Sequence, residues 1–424
     1  MCGRLRAYNE SARSVNLPVR PSYARAYYAR HCSADRFAVE AVKIAHLADL
    51  HLGYRAYHRS TPRGMNQREA DVADAFRRAV AQVAELRPDL VVIAGDVFHT
   101  VRPSNTAIAE AFRQLSVLTG RLPGVPVVMI AGNHDSPRSA DTGCILGLFR
   151  EIENVHVVFE ESRAVHLPEI ETSVLCMPHV ALAVDHHAVM EPDPKAKHNI
   201  LLLHAEITGK DGEPRYRSEF GGAQVPESAV RPTHWDYVAF GHHHEPASLA
   251  VNAWYAGAIE RTSAFIWQET TPKGFLLYDT EPCRAVFHPV ETRPLVDLPR
   301  VQAKGLSGEE IDARMLATVE GLEGGIEGKL VRLVIHDIPR QVVRELNHRR
   351  VREWKAEALH FHLDARPPEV RRRAASGAPV KRQTLKEQVE TFLGQWKPTR
   401  DDIDRPLLVS MGGEYVEAAG EPVT

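Results

Sequence analysis

Leu90-Val91-Val92-Ile93-Ala94-Gly95-Asp96 is the stretch that decides the fold. Five apolar residues in a row, three of them β-branched, read as a strand covered on both faces, so its sheet needs a layer on either side. The glycine lets the backbone approach a neighbour closely, and a carboxylate emerges at the C-terminal end. The pattern recurs upstream, where an apolar run at 42–48 leads into Asp49-Leu50-His51, and downstream, where 125–131 leads into Gly132-Asn133-His134-Asp135. Three more runs follow at 173–176, 200–204 and 237–240; the second ends on His204 and the third continues into Gly241-His242-His243-His244. Helical periodicity fills 67–86 and 104–118. The alternation implies an α/β (α+β) architecture, and sheets of that kind carry their sites at the C-terminal ends of the strands.

The residues at those ends are carboxylate, imidazole and one amide. Such mixed oxygen and nitrogen donors suit a pair of divalent ions about 3.5–4 Å apart, as in enzymes that cut phosphate esters. The candidate ligands divide by chemistry into Asp49, His51 and His244 for one ion and Asn133, His204 and His242 for the other, with Asp96 bridging. His242 and His244 share one side of an extended segment, and His243 points away. A water between two such ions would be acidic enough to attack at neutral pH. His134, beside a ligand, would steady the transition-state phosphate or protonate the leaving oxygen.

Bulk properties bound the rest. The 424 residues suggest two or three units, and 44% hydrophobic with 25% charged residues fits a soluble globular chain. No apolar run reaches the roughly 18 residues of a membrane span. Five scattered cysteines without a Cys-x-x-Cys pair point to neither a disulfide framework nor a zinc knuckle, and fit a reducing cytoplasm. With a net charge of −3, any contact with DNA must come from local basic patches and from bound metal.

Residues 1–41 hold seven arginines, no lysine and three acids without sustained periodicity, and read as an extension that is disordered or absent from the working protein, with Val42 a possible start. A phosphoesterase unit is expected over 42–290. Beyond it, helical stretches at 307–319 and 340–347 and strands at 329–335 and 358–363 suggest a small α+β module over 291–365. Residues 366–383, with Arg371-Arg372-Arg373, read as a basic linker. The segment 384–424 is expected to carry one amphipathic helix, with Leu385, Val389, Phe392, Leu393 and Trp396 on one face as a partner-docking surface. Gly324 to Lys329 fails as a phosphate loop, because Leu330 stands where Ser or Thr belongs. His179, His186, His187 and His198 receive no role.

The motifs resemble those of the calcineurin-like metallophosphoesterases. Asp49-Leu50-His51-Leu52-Gly53-Tyr54-Arg55, Gly95-Asp96-Val97-Phe98-His99, Arg102-Pro103-Ser104, Gly132 to Ser136 and Glu260 to Ser263 are similar, more narrowly, to the SbcD-type nuclease subunits of double-strand-break repair. The resemblance is strong over 42–300; one departure is Ala258, where the family usually has Ser. It implies a four-layer sandwich with two central mixed sheets flanked by helices, a capping domain, and a C-terminal helix docked on a coiled-coil ABC-type (SbcC-type) ATPase. It also implies manganese-dependent 3′-to-5′ exonuclease action on duplex DNA, endonuclease action on single strands or hairpins, non-ligand catalytic roles for His99 and His134, and a homodimer through the 104–118 region. Two alternatives stand beside this reading: a stand-alone phosphodiesterase or phosphatase acting on nucleotides or phosphoproteins, and a non-catalytic scaffold.

Overall fold

The computed structural model describes residues 41–137, 143–184, 189–216, 221–281, 283–368, 385–396 and 404–420. The extension before Ala41, most of the basic linker, and His186 and His187 lie outside these residues.

Two six-stranded mixed sheets stack face to face. The first runs β14-β13-β1-β2-β3-β4, from β1 (Lys43–Leu47), β2 (Leu90–Ala94), β3 (Val127–Ile130), β4 (Val155–Val158), β13 (Gly274–Asp279) and β14 (Arg284–Pro289). The second runs β11-β12-β10-β7-β6-β5, from β5 (Arg163–Leu167), β6 (Thr172–Met177), β7 (His198–His204), β10 (Tyr237–Gly241), β11 (Ala247–Ala250) and β12 (Ala253–Tyr255). A small parallel pair, β8 (Glu206–Thr208) with β9 (Gln224–Pro226), rises from the second sheet between β7 and β10. In both sheets the central strands are parallel; antiparallel strands close both edges of the second sheet and the β13-β14 edge of the first, whose other edge strand, β4, runs parallel to β3.

The continuous apolar runs serve three layers of core at once. Along β2, Leu90, Val92 and Ala94 face the space between the sheets, whereas Val91 and Ile93 face the helices α1 (Gln67–Leu86) and α2 (Asn105–Arg121). Along β7, Ile200 and Leu202 face the first sheet, while Leu201 and Leu203 face the outer layer with Val225, Val230 and Trp235, flanked by α3 (His179–Val184) and α4 (Glu227–Val230). Both faces are covered, so period two survives in packing but vanishes from the hydropathy pattern. The expected four-layer sandwich is therefore the observed one. Helix α1 starts where Asn66 accepts from the backbone N–H of Arg68 and Glu69, and buries Val72, Phe76, Val80 and Val83 against the sheet. Each such side chain contributes about 1.5–3 kcal/mol of transfer free energy.

After β14 the chain builds a smaller sheet around β17 (Leu330–His336). Strands β15 (Leu295–Asp297) and β16 (Val301–Gln302) pair with successive halves of β17, and β18 (His360–Ala365) pairs parallel to it as well. Helices α5 (Gly308–Glu320), α6 (Arg340–Glu345) and α7 (His348–Glu357) cover one face, enclosing Ile311, Met315, Leu333, Ile335, Trp354 and Phe361. The helix expected at 340–347 ends earlier, and a second helix starts where Asn347 caps Arg350. Only Val351 and Trp354 of that helix are buried, too few to register as periodicity. Although this module has its own core, it belongs to the compact unit that extends to Arg366. Tyr57 stacks on His360 at 3.9 Å, and the Arg59 guanidinium donates to the Ala358 carbonyl at 3.2 Å.

The second unit, from Pro367 on, corrects the expected single helix. Its described residues form two, α8 (Leu385–Gln395) and α9 (Arg405–Gly420), packed on one another. Val389 and Leu393 lie against Gly412, whereas Phe392 is 65% exposed and Trp396 39%. The apolar face read from the sequence is thus shared between a helix partner within the chain and solvent. Among the described residues no helix is long and apolar enough to cross a membrane.

Candidate metal centre

The site forms where the C-terminal ends of the two sheets meet. Parallel register puts Leu47, Ile93 and Met129 in line, so the loops after β1, β2 and β3 emerge together. In the second sheet Gly241 pairs with His204, which sets His242 next to it. Hydrogen bonds stitch the loops into a floor: Asp49 N–H donates to the Gly95 carbonyl at 3.1 Å, His51 N–H to that of Asp96 at 2.9 Å, and His242 N–H to Asp49 Oδ1 at 2.9 Å.

The backbone there is strained. Asp49, His51, Asp96 and His242 adopt φ of 50°, 47°, 51° and 96°, a region that side chains other than glycine avoid at roughly 1–3 kcal/mol each. Crowding explains two glycines. A Cβ on Gly132 would lie 2.1 Å from Asp96 Oδ1, and one on Gly241 only 1.8 Å from the Ala94 carbonyl oxygen. The surrounding sheets hold four unfavourable conformations together, and the effect is to aim their side chains at one region.

All seven candidate ligands converge. Asp49, His51 and His244 form one group with ligand atoms within 4.8 Å of one another, and Asp96, His204 and His242 form a second. Asn133 Oδ1 lies 2.9 Å from His204 Nε2 and 3.1 Å from His242 Nδ1. Asp96 Oδ2 stands between the groups, 3.4 Å from His204 Nε2 and 3.7 Å from His51 Nε2. His204 Nδ1–H donates to the Ala94 carbonyl at 2.8 Å, so its Nε2 is the nitrogen that faces the Asn133 and Asp96 oxygens. His51 Nε2 and His244 Nε2 likewise face each other at 3.0 Å. Oxygen and imidazole nitrogen donors gathered this closely suit a cation. His243 turns away and stacks on Tyr216.

Burial and neighbouring charges compete in setting the protonation of these groups. Burial disfavours a charged His204, but Asp96 outweighs it and raises the imidazole to about 9. Burial likewise opposes ionisation of Asp96, yet His204, His51 and His134 hold its carboxyl well below the usual range. For His51 and His244 burial prevails, and both are driven well below 6.5, which leaves them neutral and able to ligate.

His134 and His99 sit at the mouth, half-buried. The His134 backbone N–H donates to Asp96 Oδ1 at 2.9 Å, and its ring Nδ1–H donates to the His99 carbonyl at 2.7 Å, which leaves Nε2 as the nitrogen that exchanges a proton. The His99 ring stacks on that of His134 with centroids 5.2 Å apart, and its Nδ1 lies 3.4 Å from His51 Nδ1. Leu385, Val389, Phe392, Leu393 and Trp396 belong to the second unit and not to this site.

Three features escaped the sequence reading. Asp135 accepts from the backbone N–H groups of Val97, Phe98 and Gly132 at 3.0, 2.9 and 3.1 Å, so it fastens the second metal loop to the third. Burial and the neighbouring Asp96 push its carboxyl up to about 7, against those three donors. His179, which had no role, is placed at the end of β6 and feels His204, Asp96 and His134; burial first, then His204, lowers it to about 4. Buried Lys273 and Glu269 stand behind His244. No periodic signal marks any of them. Ala258 contributes backbone alone, with its N–H donating to the His244 carbonyl at 3.1 Å.

Residues 42–246 match the model of the calcineurin-like phosphoesterase family. Such domains use a dimetal centre, and the two buried three-residue groups above offer ligands for one. More particularly, the chain is a homologue of proteins named DNA double-strand break repair protein Mre11. It is 28% identical to that of Methanococcus maripaludis, over 50% of this chain and 54% of the relative. For Archaeoglobus fulgidus the identity is 27%, over 63% of each, and for Haloferax volcanii 30%, over 59% and 53%. The chain thus spans little more than half the length of these relatives. Among solved structures, a dimetal phosphatase from Danio rerio is 14% identical over 56% of this chain and 91% of its own, with a TM-score of 0.30, too loose a likeness to argue from.

Proposed function

We propose that the chain is a manganese-dependent DNA nuclease of double-strand-break repair, a 3′-to-5′ exonuclease on duplex ends and an endonuclease on single strands or hairpins. The observation that carries this is the convergence of seven donors from five strand ends of two sheets, with Asp96 between two groups. Asp49, His51 and His244 would hold one ion, Asn133, His204 and His242 the other, and Asp96 would bridge. When bound, such a pair supplies the Lewis acidity that activates water at neutral pH and offsets phosphate charge. His134 Nε2 would deliver a proton to the leaving oxygen, and the His99 carbonyl fixes the ring that does so. A rigid floor matters here, since the loops need no rearrangement as charge develops.

Other surfaces support the partners in this reading. The module over 291–365 would act as a cap facing DNA. On α2, Phe112 and Val117 are 38% and 41% exposed beside Leu148 at 43%, an apolar patch suited to a second copy of the chain. Phe392 and Trp396 would anchor a coiled-coil ABC-type ATPase. Free thiols on Cys144, Cys176 and Cys283 support a cytoplasmic setting.

The test compares wild type with His134→Ala on linear duplex DNA and Mn²⁺. The expected result is degradation by wild type and near-complete loss in the variant, with metal content retained. Rapid cleavage of a nucleotide diester by a wild type inert on DNA would favour the stand-alone phosphodiesterase instead.

A further inference from the structure

We infer that Glu269, held beside Lys273, is a positioning residue for His244 and sets the affinity of the metal position that His244 serves. The inference rests on the dimetal reading above and adds residues that lie outside its ligand set.

The geometry is a clamp on one ligand from two ends. Lys273 Nζ donates to the His244 carbonyl at 2.6 Å, and Glu269 Oε1 lies 3.9 Å from His244 Nδ1. Lys273 and Glu269 pair at 2.5 Å, with side chains 0% and 7% exposed, so neither is a solvated surface charge. Ser263 Oγ–H donates to the same Glu269 oxygen that faces the imidazole, fixing its direction. The next residue is tied to the same loop, since Thr271 donates to Glu245 Oε1 from its N–H at 3.2 Å and its hydroxyl at 2.9 Å.

Stability alone is a poor reason for such a pair. Desolvating a lysine and a glutamate costs about as much as their attraction returns, and apolar replacements often do as well. Position is a better reason. His244 Nδ1 has no hydrogen-bond partner, while its Nε2 faces His51. A ring movement of about 1 Å would bring Nδ1–H into hydrogen-bond range of Glu269 Oε1. An acceptor on the far nitrogen fixes the tautomer that presents Nε2 to a cation and makes that nitrogen more basic. Lys273 holds the main chain, so the ring has a fixed pivot.

The experiment is Mn²⁺ binding to the full chain by calorimetry, for wild type, Glu269→Ala and Glu269→Gln. Two ions bound by wild type is the outcome the dimetal reading requires; fewer would sink that reading and leave this one without a basis. Given two, Glu269→Ala is expected to weaken one by about 10–100-fold and leave the other unchanged. Glu269→Gln, which keeps an acceptor oxygen, is expected to fall between, and excess Mn²⁺ should restore nuclease turnover in both. Should Glu269→Ala fail to fold, Glu269→Gln decides alone. Two affinities equal to wild type in the folded variant, whatever its melting temperature, would overturn the inference.

Discussion

Two buried polar clusters lie in the same unit and are balanced in opposite ways. Behind α1, Arg68 pairs with Asp71 at 2.8 Å and Glu260 at 3.3 Å, and Arg293 Nε donates to Asp71 at 2.9 Å. Two guanidinium groups meet two carboxylates there, and Arg293 also donates to the Gly328 carbonyl at 3.0 Å, which joins the phosphoesterase domain to the α+β module. At the strand ends, by contrast, carboxylates, an amide oxygen and imidazoles crowd together, and Asp96 raises the His204 imidazole to about 9. A cluster neutral within itself is architecture. A cluster that needs a cation from outside is a site.

The largest effect should come from breaking the second cluster. Asp96→Asn removes the oxygen charge between the two groups, and Mn²⁺-dependent cleavage is expected to fall by about 10³-fold or more, with loss of bound metal measured in parallel. The variant should remain folded, because asparagine keeps the side chain's shape and an oxygen that can accept from the His134 N–H.

Arg68→Met should behave in the converse way. It leaves Glu260 without its guanidinium partner in a buried place, so chemical denaturation should reveal a loss of about 3–5 kcal/mol, while the folded fraction binds both ions. If Asp96→Asn destabilises more than Arg68→Met, the contrast between the two clusters fails.

Metal itself gives a smaller and reversible effect. Free Mn²⁺ at about 100 times its dissociation constant should stabilise wild type by about 2.7 kcal/mol, seen as a rise in melting temperature that a chelator cancels. Arg68→Met should show the same increment, and Asp96→Asn none.

Acid gives the most gradual one. His46 lies between the sheets with Nδ1 2.9 Å from the Tyr237 hydroxyl, and burial lowers it to about 3. Its folded value is below the unfolded 6.5, so the unfolded chain takes the proton first and stability falls as pH drops from about 6.5 toward 3. Going from pH 7 to 5 should cost about 2 kcal/mol through this residue. His46→Gln should flatten that slope in denaturation curves taken at each pH.

The same contrast marks what the sequence could reveal. Ligands are legible because each follows an uninterrupted apolar run, as His204 follows Ile200 to Leu203, and a sheet must end somewhere specific. Partners recruited from loops have no such flag. Arg68, Glu260, Glu269 and Lys273 become neighbours only through the fold, and Asp135 acts on backbone groups 37 and 38 residues away. Edge strands give weaker patterns, since β4 is only four residues long and β14, although six, buries only Phe287. Helix α9 was missed for another reason. Gly412-Gly413 reads as a helix breaker, yet a Cβ on Gly412 would lie 2.4 Å from Leu393, so the small residues are what let the two helices touch.

The chemistry proposed for this site depends on two cations bound between these loops. Anomalous diffraction from crystals grown with Mn²⁺ tests it most directly. Two peaks about 3.5–4 Å apart are expected, one against Asp49, His51 and His244, the other against Asn133, His204 and His242, with Asp96 touching both. A single peak, or manganese elsewhere on the molecule while this pocket holds only water, would contradict it.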